Sequence, residues 1–313
     1  MNFSMAIVIS AFCVTANDRQ RDEYALGKQL LQANLPVSAA LVWGSIVEAG
    51  PSMQSHRDAV ASLVALQSDI DDDEIIPSIL DEYFDVYGES WSTLPASVVS
   101  SINYLVGRRA YRQGRFDQAK QFLLEVTSQS AHFDDAQFLL ALTLADPRTT
   151  SDDGDDERVK LISAIEILQT LFARYDGVEF QKRRRALIAL TLGRLYFGLG
   201  NSRSALTWYD KVPNESRHVR QALFERAYAH FQNDDWEAAL GSLQALQAPQ
   251  VWAGFHPEGW ILAATIYTMA CLYNEAIATI DLFERRFKAS EKIPAAQLAG
   301  DRIEKLAKLI ARM

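Results

Sequence analysis

Residues 189–209 read ALTLGRLYFGLGNSRSALTWY. Gly193 and Ala205 stand twelve positions apart in this stretch, with Gly200-Asn201-Ser202 as a short polar turn between them. The apolar residues around each keep helical spacing. Two helices approach closely only where the facing residues are small, so the stretch predicts a tight helix–turn–helix. The same pairing recurs at Gly27/Ala39, Gly107/Ala119, Ala227/Ala239 and Ala264/Ala276. Five copies predict an all-α chain of repeated helix pairs, an architecture that offers extended surfaces for holding other molecules.

Composition agrees with that class. Of 313 residues, 49% are hydrophobic, enough for a core and too many for a disordered chain. Gly 15 and Pro 9 are modest numbers that suit helices better than a turn-dense β fold. A net charge of −9 argues against a nucleic-acid binder, which needs surplus Lys and Arg to neutralise phosphate. No long apolar run interrupts the body of the chain, so no transmembrane segment is expected there.

Register across the chain sharpens the assignment. A shift of 34 residues superposes Gly27 on Ala61, Tyr104 on Phe138, Gly107 on Ala141, Leu190 on Phe224 and Gly193 on Ala227. The first-helix pattern W-x2-L-G-x2-Y appears as Ala189-x2-Leu192-Gly193-x2-Tyr196 and as Trp260-x2-Ala263-Ala264-x2-Tyr267. The second-helix pattern A-x3-F appears as Ala205-x3-Tyr209, Ala239-x3-Leu243 and Ala276-x3-Ile280. In this the chain resembles the tetratricopeptide repeat (TPR) family. The resemblance implies an α-solenoid of stacked antiparallel helix pairs, the TPR superhelix. A C-terminal capping helix is expected over 296–313, with Leu298, Ile303, Leu306, Leu309 and Ile310 on its apolar side.

The small-residue pairing lapses twice. Ala61 meets Asp73 twelve residues on, just before a joint over 88–95 (GESWSTLP). Ala141 meets Asp153, and Ala164 restores the pattern only after an acidic insertion over 146–157. The expected organisation is therefore N-terminal TPR-like helices over 17–88 and a main array over 96–313. Residues 1–16 contain the apolar stretch MAIVISAFCVTA, ending in small residues before polar Asn17-Asp18-Arg19. They read as a secretory signal peptide, although no Lys or Arg precedes the apolar run. A greasy first helix that covers the solenoid is the competing reading. Once Cys13 is removed, Cys271 has no disulfide partner; it falls at a turn, as a small half-buried hydrophobe.

Candidate chemistry is sparse. In the insertion, an EF-hand would need acids where Thr149, Ser151 and Asp153 stand, and a bidentate Glu where Lys160 stands. The loop fails as a calcium site and reads as a solvated insertion. The five histidines show no metal-ligand spacing, so no metal, cofactor or catalytic residue is expected. Lys182-Arg183-Arg184-Arg185 opens a first helix, where positive charge opposes the helix dipole. It reads as a solvated end, with an acidic partner or peripheral contact with an anionic membrane as the alternatives.

By the TPR resemblance, first helices line a concave groove. The inward positions are Tyr104, Arg108, Tyr111 and Arg112 in one repeat. In the next well-matched repeats they are Leu190, Arg194 and Phe197, then Phe224, Tyr228 and Phe231. Tyr and Arg carry much interface energy because each buries a large area and keeps a polar handle, although some of these aromatics are expected to pack between helices instead. One TPR subclass clamps chaperone C-termini with Lys and Asn at such positions; this chain has Tyr, Arg and Phe, so that activity does not transfer. The expectation is a non-catalytic, periplasmic or otherwise exported scaffold, binding a peptide or helix of an envelope-complex partner. Secretion, pilus, motility and cell-wall machineries are the candidate assemblies. A cytoplasmic TPR adaptor or co-chaperone is the alternative, and an enzyme or calcium-binding protein using the acidic loop is a third.

Overall fold

The computed structural model describes residues 21–50, 54–69, 78–80, 83, 91, 94–149, 157–178, 181–248, 251 and 257–291. The expected signal peptide (1–16), most of the joint over 88–95, residues 150–156 of the acidic insertion and the expected capping helix (296–313) lie outside that set. No strand occurs among the described residues. The helices are α1 (21–32), α2 (Pro36–Glu48), α3 (Gln54–Asp69), α4 (Ala96–Arg112), α5 (Phe116–Leu124), α6 (Phe133–Ala145) and α7 (Glu157–Arg174). They continue as α8 (Lys182–Gly198), α9 (Ser202–Tyr209), α10 (Val219–Gln232), α11 (Trp236–Leu246), α12 (Pro257–Met269) and α13 (Tyr273–Glu291).

The chain divides into two compact units, Met1–Leu171 and Phe172–Met313. Helix pairs α1/α2 and α4/α5 belong to the first; α8/α9, α10/α11 and α12/α13 belong to the second. Each pair carries one of the five small-residue pairs. An added Cβ on Gly193 would lie 2.6 Å from Tyr209 Cδ1, and one on Gly107 would lie 2.8 Å from Leu123 Cγ. On Gly27 it would enter the Trp43 indole. Ala39, Ala119, Ala205, Ala227 and Ala239 are fully buried. Small residues are thus required where the sequence places them, because the facing side chain fills the space a larger one would need.

One device closes all five pairs. Asn34, Gly114, Gly200, Asp234 and Cys271 adopt φ of 61°, 73°, 74°, 58° and 59°, the left-handed region. Each stands seven residues after the small residue of its pair. The amide after each donates back to a carbonyl five residues earlier: Leu35 to Leu30 (2.9 Å), Arg115 to Ala110 (2.9 Å), Asn201 to Tyr196 (2.9 Å), Asp235 to His230 (3.0 Å) and Leu272 to Tyr267 (2.8 Å). This is the Schellman ending, which satisfies the last carbonyls of the first helix and turns the chain into the second. The second helix then starts on a cap where the sequence offers one. Asn201 Oδ1 accepts from the Ser204 amide at 3.1 Å, and Asp235 Oδ1 accepts from the Ala238 amide at 3.3 Å. Cys271 is a correction to the sequence expectation: it is exposed rather than half-buried, because the left-handed position of a tight turn faces water.

In the first unit Trp43, Ile46, Leu63, Ile102 and Leu123 form one core with Leu80 and Leu140. In the second, Leu223, Ala227, Leu243, Leu246, Leu262 and Ile266 form a core between consecutive pairs. Truncating a fully enclosed member such as Leu243 to Ala costs about 2–5 kcal/mol through lost burial and the cavity left behind.

The acidic insertion leaves α6 through an anchored corner. The Asp146 carboxylate accepts from the Arg148 amide (3.0 Å), Nε (2.9 Å) and Nη2 (2.8 Å), and the Arg148 guanidinium lies 4.5 Å from the Phe116 ring centre. The Thr149 hydroxyl donates to the Thr143 carbonyl. Lys160 Nζ donates to the Thr149 carbonyl at 2.6 Å. The residue standing where an EF-hand needs its glutamate thus brings an ammonium to the first ligand position.

Candidate partner-binding surfaces

Two sets of first-helix residues were expected to face a partner, and each unit holds one. In the first unit, Tyr104 is buried on α4, with its ring stacked on His132 (centroids 4.6 Å apart, planes 14° apart). The Arg108 guanidinium sits 5.6 Å from the Tyr104 ring centre. Burial holds the His132 imidazole below its ordinary pKa; Arg108 adds to this and Asp135 opposes it. Tyr111 is half-buried, with its ring edge-on to Phe116 at 5.5 Å. Burial pushes its hydroxyl pKa up, Asp146 helps, and Arg148 opposes. Both tyrosines therefore pack between helices. Arg112 is exposed and Arg108 is half-buried, so the accessible chemistry of this set is cationic.

The second unit differs. Leu190 is fully buried, and Phe224 and Phe231 are half-buried against the unit's core. Phe197 of α8 lies 5.9 Å from Tyr228 of α10, and Tyr228 lies 6.3 Å from Phe231. These three rings form a row across two consecutive first helices. Tyr228 is 40% exposed, and its hydroxyl accepts a 3.3 Å hydrogen bond from Gln232 Nε2.

Beside the row, Arg194 Nε reaches both Glu225 carboxylate oxygens (3.0 and 2.9 Å), and Nη2 reaches Oε1 at 2.6 Å. The hydrogen bonds that Arg194 donates to Glu225 raise its pKa. Tyr209 is driven up as well, first by burial and then by the Glu225 charge. Arg194 is thereby a charge-matched wall of the surface rather than a free cation. Glu225 was not singled out from sequence. Its signal was available, since a 34-residue shift carries Arg194 to Tyr228, and Glu225 stands three residues before Tyr228 on the same helical face.

The basic run Lys182-Arg183-Arg184-Arg185 occupies the first turn of α8. Arg185 pairs with Asp176 at 2.7 Å and stacks 4.3 Å from the Phe172 ring centre. Lys211 Nζ lies 3.6 Å from the ring centre of Trp208, which meets Phe172 edge-on at 5.0 Å. Packing on aromatic faces thus accounts for Arg185 at a position the helix dipole disfavours. Among the described residues, no three His, Cys, Asp or Glu side chains gather as a metal site would require. No described helix is long and apolar enough to cross a membrane.

No family model matches the chain, and no curated protein matches it. Solved structures do. A crystal structure of the MamA protein is 16% identical and covers 63% of this chain and 97% of its own, with a TM-score of 0.48. The putative kinesin light chain TPR-like repeats of Podosopora anserina are 16% identical over 64% of this chain and 99% of that one, with a TM-score of 0.46. A Rap protein complexed with Competence and Sporulation Factor is 12% identical over 88% of this chain and 78% of that one, with a TM-score of 0.44. The chain's own helix pairs, with their shared register and turn, establish an all-α fold of TPR type.

Proposed function

We propose that this chain is a non-catalytic scaffold that seats a peptide or helix of a protein partner on the α8–α10 face of its second unit. The observation that carries the reading is the row Phe197, Tyr228, Phe231, whose middle ring opens to water. Half-exposed rings lying side by side across two helices are a recognition surface: they offer apolar area with little side-chain entropy to lose. The Tyr228 hydroxyl and the Arg194–Glu225 pair add polar groups that fix a ligand's register. Rigid first helices carry the row, so binding does not have to order it. Arg108 and Arg112 are the cationic positions of the first unit toward a partner's acids, with Arg112 exposed.

We infer further that the protein is exported and serves an envelope assembly. The support is the apolar stretch MAIVISAFCVTA with small residues before Asn17. A cytoplasmic adaptor is the second reading, and one observation favours it. Leu31, Val37 and Leu41 of the first pair are exposed, and an uncleaved N-terminal helix would have apolar surface to rest on. Mass spectrometry of the mature protein separates the two: a chain starting at Asn17 supports export, and an intact Met1 sinks it. For the binding face, co-purification of one partner that Tyr228→Ala abolishes, with helicity unchanged, supports the reading. Retention of the same partner by that variant would sink it.

A further inference from the structure

Two arginines of the second unit have no role in the fold. Residues 182–226 hold ten Lys or Arg against three Asp or Glu, in a chain of net charge −9, so the positive balance is local to this stretch. Three of its arginines are matched by acids: Arg185 by Asp176, Arg194 by Glu225 and Arg226 by Asp210. Arg183 and Arg217 are exposed, and neither has an acidic partner among the described residues. Arg183 stands in the first turn of α8, and Arg217 stands just before His218, the cap of α10. Positive charge there opposes the helix dipole, so helix stability does not explain it. A 34-residue shift carries one arginine onto the other. Their register also sets them on the face of the aromatic row. Arg183, Leu190 and Phe197 are spaced by seven residues, as are Arg217, Phe224 and Phe231. A seven-residue step drifts by only about 20° around an α-helix.

The surroundings of Arg217 hold it in place without cancelling its charge. Its Nε donates to His218 Nε2 at 3.2 Å, and the His218 amide donates to the Ser216 hydroxyl at 3.2 Å. Burial keeps the His218 imidazole below its ordinary pKa, and the charges of Arg217 and Arg194 push the same way. A neutral imidazole accepts from the guanidinium and leaves it cationic. The Nη groups, the fork that grips a carboxylate with two hydrogen bonds, are left to a ligand.

We propose that Arg183 and Arg217 receive acidic residues of the same partner segment whose apolar side chains meet Phe197, Tyr228 and Phe231. This rests on the partner-binding face and gives the partner a chemistry and a direction. Its acids lie at the starts of α8 and α10, and its apolar anchors lie toward their ends. Arg194, on the same face, is matched by Glu225, so a ligand's acids are directed to the rim rather than to the middle. From Arg217 to Tyr228 the helix rises about 15 Å at 1.5 Å per residue, which an extended segment covers in about five residues. Exposed charges so placed steer association and fix which way round a ligand lies. An anionic membrane would draw on the same charges without needing them on the face of the rings, and the test separates the two.

The test places a photo-crosslinking amino acid at Gln232, exposed beside Tyr228, which leaves the row of rings intact. The full chain is irradiated in the cells that make it, and mass spectrometry of the adduct reads the partner segment. That segment should carry Asp or Glu to one side of its apolar residues. Arg183→Glu with Arg217→Glu should lower the adduct yield about tenfold or more with helicity unchanged; Arg183→Gln with Arg217→Gln replaces it if the reversal folds poorly. Exchanging the segment's acids for Lys should restore capture by the reversed variant and impair capture by the natural chain. A segment without acids, a yield that the reversal leaves unchanged, or an exchange that restores nothing would overturn the proposal. If Tyr228→Ala still abolishes the adduct in those cases, the binding face itself stands. No adduct, or one that Tyr228→Ala does not reduce, would overturn the binding face and this proposal with it. An unchanged adduct, together with loss of the reversed variant from phosphatidylcholine–phosphatidylglycerol vesicles that hold the natural chain, would assign the arginines to a membrane instead.

Discussion

The same register positions are filled in both units, yet they do different things. On α4, Tyr104 disappears beneath His132 and Tyr111 turns its edge to Phe116, so the two arginines provide what a partner could touch. On α8 and α10, the arginine is matched by Glu225 and the Tyr228 ring is left open beside Phe197. Repeat register fixes where a side chain starts; the neighbouring helix decides whether it packs or presents itself. The first unit thus offers a cationic surface and the second an aromatic one.

The largest expected effect is on the frame that holds the aromatic row. Gly193→Leu would drive a side chain into the Tyr209 ring and should destabilise the chain by about 1–3 kcal/mol, as overpacking does. Gly107→Leu meets Leu123 Cγ at 2.8 Å, a less severe overlap than at Gly193, and should cost less. Urea unfolding of the two variants ranks them, and the reverse order would break the comparison. Next comes recognition itself. Tyr228→Ala should weaken partner binding by about 2 kcal/mol, roughly thirtyfold, if the open ring is a hot spot. Arg108→Glu with Arg112→Glu should mainly slow association and alter its salt dependence, as changes to exposed charges do. Calorimetry and stopped-flow kinetics over a range of salt distinguish the two surfaces.

A smaller effect concerns the turns. The first unit closes its α4/α5 turn with Gly114, while the last turn of the second unit holds Cys271 at φ 59°. Cys271→Gly removes side-chain strain in the left-handed region and should stabilise by about 0.5–1 kcal/mol. Thermal melts check the sign. The smallest effect is confined to the first unit. His132 has a folded pKa below its ordinary value of 6.5, so the unfolded chain takes up the proton first. Stability from the neutral imidazole is present above about pH 6.5 and is lost as pH falls below it. Melting temperature should fall from pH 8 to pH 5, and His132→Phe, which keeps the stack on Tyr104, should make that fall shallower. The buried His56 shifts in the same direction and remains as background.

The helix pairs were legible because close approach leaves a mark at single positions: Gly193 and Ala205 cannot be larger where they stand. The turn was equally regular, seven residues after each small one, but Asn34, Asp234 and Cys271 concealed it, since only Gly114 and Gly200 advertise a left-handed conformation. The candidate surface was legible as a register and not as an exposure. Phe224 and Tyr228 stand one helical turn apart; Phe224 packs on the core and Tyr228 opens to water. Tyr104 is buried by His132, which comes from the repeat that the acidic insertion interrupts, and no local pattern links the two. Glu225 likewise acquires its role from Arg194, on another helix.

The most direct measurement places a photo-crosslinking amino acid at Tyr228 and, in a second strain, at Gln244, which is exposed on the second helix of the same pair. Both proteins are irradiated in the cells that make them. A partner-binding face on the first helices predicts one discrete protein adduct from position 228 and none from position 244. Adducts of equal yield at both positions, or an adduct from 244 alone, would contradict it.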